Sequence, residues 1–239
     1  MPFARPALAA GRRVPSLATF ALALLLPLAA HAEEETYTLD PVHTRVLFAV
    51  EHAGFSKAMG TVSGSSGTLV FDRDDWRSAK LDVRVPIHRL DLGDAKWNEA
   101  VLATNLLDGK RHPEAHFVSH TVEPGEADHA KVCGDLTLRG TTRPLCMDVV
   151  LNALKRHPLP PFRRTAGFSA TATLSRAEYG IDAWKNVIGD SIELRIEAEA
   201  VRGRADASGE TPADTQAEPT NEPPAEPAPP TEPQPEPTP

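Results

Sequence analysis

The chain has 239 residues, 33 acidic side chains against 25 Lys and Arg, and a formal net charge of −8. Without the three arginines of residues 1–32 the charge is −11, and residues 203–239 carry −7 of it, which leaves −4 on the body between them. A mildly acidic body with no basic stripe excludes nucleic-acid binding, and two cysteines outside any CxxC spacing exclude a dithiol redox motif.

Residues 1–32 read as a secretory leader. Arg5, Arg12 and Arg13 precede an apolar run over residues 17–30, and Ala30-His31-Ala32 has the form of a cleavage site. The run is shorter than the roughly 18 apolar residues of a membrane span, so no stable insertion is expected after cleavage at Ala32. A periplasmic destination follows. Val14-Pro15-Ser16 stands where a twin-arginine signal has an apolar pair, so Sec and twin-arginine export both stay open.

The mature body, residues 33–202, is long enough for one domain with its own core. Over residues 44–52 the side chains of Thr44, Val46, Phe48, Val50 and His52 share one face of an extended strand. The strand builds either a plain core with a satisfied histidine or a pocket with a polar mouth. Residues 57–62 and 68–71 read as two short strands of a meander, joined by a turn at Ser63-Gly64-Ser65-Ser66-Gly67. Residues 77–87 alternate cleanly, with Leu81, Val83, Val85 and Ile87 on the dry side. The spacing predicts a helix over residues 94–107, capped by Asp94, with Trp97 and Val101 on one face. Trp97 reads first as packing between helix and sheet, and second as a ligand contact.

Residues 115–122 are mixed on both faces and have no legible orientation. Strands follow over residues 130–138, 145–154, 165–174 and 191–201. The last puts Ile192, Leu194, Ile196, Ala198 and Ala200 on one side, and its partner does the same with Phe168, Ala170, Ala172 and Leu174. If Leu136, Leu138, Leu145 and Met147 face inward, Cys133 and Cys146 meet on the opposite face, and in an exported chain they form a hairpin disulfide. Eight or more one-sided strands, one helix and no βαβ alternation predict an all-β closed antiparallel barrel. Residues 203–239, with 11 prolines, eight acids and no large apolar side chain, read as a disordered tail.

Catalytic signatures are missing from the sequence: it has no G-x-S-x-G, no phosphate loop and no G-x-G-x-x-G. His112-Pro113-Glu114-Ala115-His116 places a proline where a zinc helix would need a helical residue, so His112, His116 and His120 read as solvated histidines rather than metal ligands.

Several segments in order carry a family resemblance: Asp40-Pro41-x-His43-Thr44, Phe48-x-Val50-x-His52-x-Gly54-Phe55-Ser56, Gly134-Asp135-Leu136-Thr137-Leu138-Arg139-Gly140 with Arg143-Pro144, Gly167-Phe168-Ser169, Arg176-x-x-Tyr179-Gly180 and Gly189-Asp190. Together, over about residues 36–202, they resemble the YceI-like family of lipid- and polyisoprenoid-binding proteins. The resemblance implies an eight-stranded, lipocalin-like antiparallel barrel with one short helical segment over its opening. It also implies an amphiphilic lipid ligand in an apolar channel, isoprenoid or fatty, with a quinone among the candidates and no cofactor. Wall candidates are Val46, Phe48, Val50, Val83, Val85, Phe168 and Leu194. His52, Phe55, Trp97, Asn98 and Arg176 are candidates for the mouth. Trp97-Asn98-Glu99 departs from the Arg-Asp that many members carry there, so the ligand's identity is not carried over. The alternative is an enzyme, of hydrolase-like activity on a lipophilic substrate, with His52 as general base. A third reading has a filled barrel whose tail recognises a partner. A homodimer is left open.

Overall fold

The structure is a computed structural model and describes residues 34–203; the expected leader, and all but the first residue of the expected tail, lie outside the described residues. The strands are β1 (Glu35–Leu39), β2 (Arg45–His52), β3 (Ser56–Ser63), β4 (Ser66–Phe71), β5 (Lys80–Pro86), β6 (Leu90–Asp91), β7 (Glu114–Pro124), β8 (His129–Leu138), β9 (Thr141–Arg156), β10 (Arg164–Ser175) and β11 (Ile188–Arg202). The helix α1 (Ala95–Leu102) lies between β6 and β7.

Eleven segments make eight staves. β11 pairs with β2 through Glu197↔Arg45 and with β1 through Ala200↔Leu39, so β1 and β2 lie end to end along one edge of β11. β4 pairs with β1 and β3 with β2, which makes β3 and β4 the two halves of the next stave. β5 pairs with β4, and β6 with β3. From there β5, β7, β8, β9, β10 and β11 pair in sequence, and the β1–β11 ladder closes the ring. The result is an up-and-down antiparallel barrel of eight staves, as the alternating strands and the family resemblance imply.

Two expectations change. Residues 57–62 and 68–71 do not form a hairpin with each other: Gly64 and Ser65 bend one stave, and the partners β2 and β1 bend beside them at residues 40–44. The Gly64 amide donates to the Pro41 carbonyl at 3.3 Å across the two bends, and Gly64 has a φ of +78, which a side chain would strain. The helix ends at Leu102 rather than at residue 107. The Leu107 amide reaches back to Val101 O and the Gly109 amide to Leu102 O, a wrapped terminus that turns Leu106 into the core. Asp94 caps the helix as expected, its carboxylate accepting from the Lys96 and Trp97 amides at 3.0 Å.

The strand over β1 is absent from the sequence reading, yet it closes the barrel. Tyr37 on this strand is fully buried, and its hydroxyl donates to Glu35. Burial, with that carboxylate beside it, pushes the phenol up to about 12. Tyr37, Leu69, Phe71, Leu151, Ala166 and Ala200 form a compact core at the end of the barrel where β1 begins. A larger core cluster, including Phe117, Leu136, Met147 and Tyr179, follows the barrel wall toward the helix. Cys133 and Cys146 are directly opposite in the β8–β9 register and are disulfide-bonded, as their outward-facing positions lead one to expect.

Candidate functional site

The inward faces of the staves enclose a chamber of about 790 Å³. Each strand supplies it by simple alternation. β2 gives Val46, Phe48, Val50 and His52; β5 gives Leu81, Val83 and Val85; β11 gives Ile192, Leu194, Ile196, Ala198 and Ala200. Cross-strand pairs bind these faces into one wall: Leu194 stands opposite Phe48 and Ile196 opposite Val46. The floor is aromatic. Phe71 packs edge-on against Trp76 at 5.2 Å and against Phe168 at 5.7 Å, quadrupole-favoured arrangements that hold the rings in place.

Two of the polar side chains deep in the wall are engaged by the protein itself. Thr44 is fully buried, its hydroxyl against the backbone of Glu199, and Ser119 accepts the Leu81 amide at 2.8 Å. The Ser65 hydroxyl, fully buried in the lining, has no hydrogen-bond partner among the described residues; the rest of the deep wall is hydrocarbon. Polar groups reappear at the opposite end, where His52 and Asn105 line the chamber beside Trp97. The His52 ring is half-buried, 5.7 Å from the Trp97 ring centroid and tilted 45° to it. Among the described residues no side chain or backbone group hydrogen-bonds that imidazole. α1 adds Ala100 and Val101 to the lining, and residues 184–188 add Trp184, Val187 and Ile188.

Ten of the twelve expected site residues line the chamber: Val46, Phe48, Val50, His52, Val83, Val85, Trp97, Phe168, Arg176 and Leu194. The other two do not. Phe55 sits on the β2–β3 turn, 91% exposed, and points away from the interior. Asn98 is turned to the protein: its carbonyl oxygen accepts the Leu92 amide at 2.7 Å and its amide donates to Asp91 at 3.1 Å, tying helix to strand. Arg176 touches the lining but is not free for a head group. Buried to 5% exposure, it donates to the carbonyls of Gly189, Ile181, Ala183 and Ile188 at 2.6–2.9 Å, and so holds the connection between β10 and β11 in shape. Trp97 keeps 47% of its surface exposed, so it edges the mouth rather than filling a helix–barrel seam.

The sequence reading missed Trp76, Phe71, Trp184 and Val187, all in the lining. Trp76 and Trp184 belong to irregular connections, where no periodicity assigns a face. Only their size signalled them. The histidine run stays apart: His116 bonds Asp82 at 2.7 Å and His120 bonds Asp135 at 2.8 Å, each on its own carboxylate.

A closed, up-and-down barrel of eight staves around an apolar chamber that opens at one end is the architecture of the lipocalin-like barrels. A family model for the YceI-like domain matches residues 37–200, and the chain belongs to that family. A UPF0312 protein of Pseudomonas savastanoi pv. phaseolicola is 32% identical over 189 residues, 78% of this chain and 97% of the relative. A UPF0312 protein of Shewanella sp. strain ANA-3 is 29% identical over 179 residues, 75% and 93% of the two chains. Among solved structures, Burkholderia cenocepacia BcnA superposes with a TM-score of 0.61 at 19% identity, covering 67% of this chain and 98% of that one. A polyisoprenoid binding domain from Saccharophagus degradans does so with a TM-score of 0.53 at 12% identity, covering 72% and 100%. At those identities the two structures bear on the fold.

Proposed function

We propose that the mature chain is a periplasmic carrier that holds one long-chain amphiphile, an isoprenoid or fatty lipid, without changing it covalently. A chamber of about 790 Å³ whose deep wall is hydrocarbon apart from the Ser65 hydroxyl, with Thr44 and Ser119 engaged by the protein, carries this reading. Such a space offers a polar ligand a single hydroxyl, whereas every methylene it shields from water contributes ~0.8 kcal/mol. The tail runs from the mouth toward the aromatic floor of Phe71, Trp76 and Phe168. The head stays at the mouth, where the unpartnered imidazole of His52 and the side chain of Asn105 can meet a hydroxyl, carbonyl or phosphate oxygen. The family supports a lipid ligand, and the Saccharophagus degradans neighbour is described as polyisoprenoid binding; quinones belong to the same chemical class.

The hydrolase reading finds no support in the geometry. A general base needs a partner that fixes its tautomer and a nucleophile in reach, and among the described residues neither is bonded to His52. The test is native mass spectrometry and solvent extraction of protein isolated from the periplasm. A single bound amphiphile at one per chain is the expected result. Protein that is empty after isolation and takes up no long-chain lipid when offered one refutes the carrier, and turnover of a bound lipid that disappears in His52→Ala would replace it with an enzyme.

A further inference from the structure

Four of the nine large apolar side chains that stand exposed among the described residues gather at the chamber mouth: Phe55, Trp97, Trp184 and Val187. Single exposed hydrophobes are ordinary, but a cluster around an opening is not. The chain holds them there. The Ala53 amide donates to Val187 O at 2.6 Å, fastening the β2–β3 turn to the 184–187 turn, and the Phe55 amide returns to His52 O. Ala53 and Gly54 both have positive φ, so the turn has a fixed form that leaves Phe55 projecting with 91% of its surface bare.

From this rim we infer that the mouth docks onto the surface of a phospholipid bilayer, inserting Phe55 and Trp184 among the head groups. Trp97, Trp184 and Val187 belong to the rim and to the chamber lining at once, so apolar surface runs unbroken from the outside to the interior. A chain leaving a membrane along that surface never crosses water. Tryptophan, apolar in body with one N–H to satisfy, suits the head-group layer. The charges nearby supply no cationic field: Lys57 pairs with Glu193 and Lys185 with Asp182, while Glu51, Asp94 and Glu99 outnumber Lys96. Adhesion therefore rests on apolar insertion and is indifferent to anionic lipid. The carrier reading supplies the purpose of this contact, but adhesion can be measured without any ligand.

The experiment uses the mature chain and vesicles of phosphatidylcholine and phosphatidylethanolamine. Wild type should float with the vesicles, and brominated phosphatidylcholine should quench its tryptophan fluorescence. Phe55→Ser should weaken partitioning roughly tenfold, the equivalent of one phenyl burial, and slow the loading of a fluorescent long-chain fatty acid from vesicles by a similar factor. Its equilibrium affinity for that probe should not change, since Phe55 is outside the lining. Leu159→Ser is the control: that residue is 64% exposed in the β9–β10 loop at the far end of the barrel, and should change neither readout. Wild type that does not float, equal losses in both variants, adhesion that requires anionic lipid and fails in salt, or a Phe55-dependent dimer in light scattering overturns the inference. A chain that carries lipid but ignores vesicles sinks the docking surface alone. One that adheres but never loads sinks the carrier alone.

Discussion

Replacing Val46 by Trp should cut the chamber short. Val46 faces the interior halfway down, opposite Ile196 on β11, and the lining continues from there to Ala200 at the floor. Those four residues span ~13 Å of strand at ~3.3 Å each, or ~10 Å of depth for staves tilted by ~40°. An indole at position 46 denies that depth to a bound tail. Shutting out even four methylenes costs ~3 kcal/mol, which is more than a hundredfold in Kd. The ring enters empty space, so stability should fall by less than the ~1–3 kcal/mol of an overpacked core. Titrating a series of fatty acids of increasing length checks this directly. In the wild type affinity should climb with each added pair of carbons until the tail meets the floor, and in Val46→Trp it should level off earlier while the shortest ligands bind as before. Identical length dependence in the two proteins, with the variant folded, would mean that tails do not run down this channel.

Further outcomes follow from contacts elsewhere. Cys133 and Cys146 are 13 residues apart, and opening a loop of that size costs on the order of 3 kcal/mol; the double Ser variant should lose several degrees of Tm by calorimetry while keeping its ligand. Arg176→Lys strands most of four buried carbonyls, because an ammonium on a flexible stem cannot reproduce the fork, and should lose on the order of 3 kcal/mol in urea unfolding. A head-group role for Arg176 would instead leave stability intact and weaken binding. The hydrogen bond that the His43 ring donates to the Asp40 carboxylate raises the His43 pKa above its ordinary 6.5. Its contribution to stability is therefore complete below 6.5 and fades as pH rises through the folded value. Burial pushes the Asp40 carboxyl up, but the His43 ring and the Val42 and His43 amides outweigh it and hold it low, so its own contribution is lost only as pH falls through the folded value, below the ordinary 3.8. Asp40→Asn should bring the His43 titration, followed by NMR, back toward 6.5.

Strands whose inward residues keep one parity were legible. β11 alternates without interruption across its inward residues, and the inward set of β5, Leu81, Val83 and Val85, is where alternation puts it. Legibility ends where that parity breaks. On β7 the inward residues are Ala115, Phe117 and Ser119, and then Val122, because the pairing with β8 shifts between Ser119 and Thr121. That bulge moves the inward set from odd to even positions, so a single period never fits the segment. The Gly and Ser run at residues 63–67 carries the signature of a reversal, and whether such a run reverses or only bends depends on partner strands it cannot see. Asn98 and Arg176 failed for a related reason. A polar side chain near an opening suggests a ligand contact, but here both complete backbone hydrogen bonds, a demand that only the folded connections create.

Three neighbouring staves bend at one level, and this crease explains why a barrel of only eight staves is open at one end and closed by a packed aromatic floor at the other. The first stave breaks at residues 40–44, the second at Gly64–Ser65, and the third at Ile87–Arg89, a short 3-10 turn between β5 and β6. The breaks contact one another. Pro41 O accepts the Gly64 amide, and Gly64, at a φ of +78, lies against the Arg89 side chain, whose Cδ would stand 2.8 Å from an added Cβ. The Asp40 amide and Thr44 fasten the crease to Glu199 on β11. On one side of it β1 and β4 press Tyr37, Leu69 and Phe71 into the closed core. On the other side, β3 pairs with β2 on one edge but meets the third stave only through the two residues of β6, and the widened wall takes in α1 and the 184–188 connection as its edge. An eight-stave barrel of straight strands has an interior its own side chains can fill; bending three of its staves together widens it toward the end that carries His52 and Trp97, while Tyr37, Leu69 and Phe71 pack the floor.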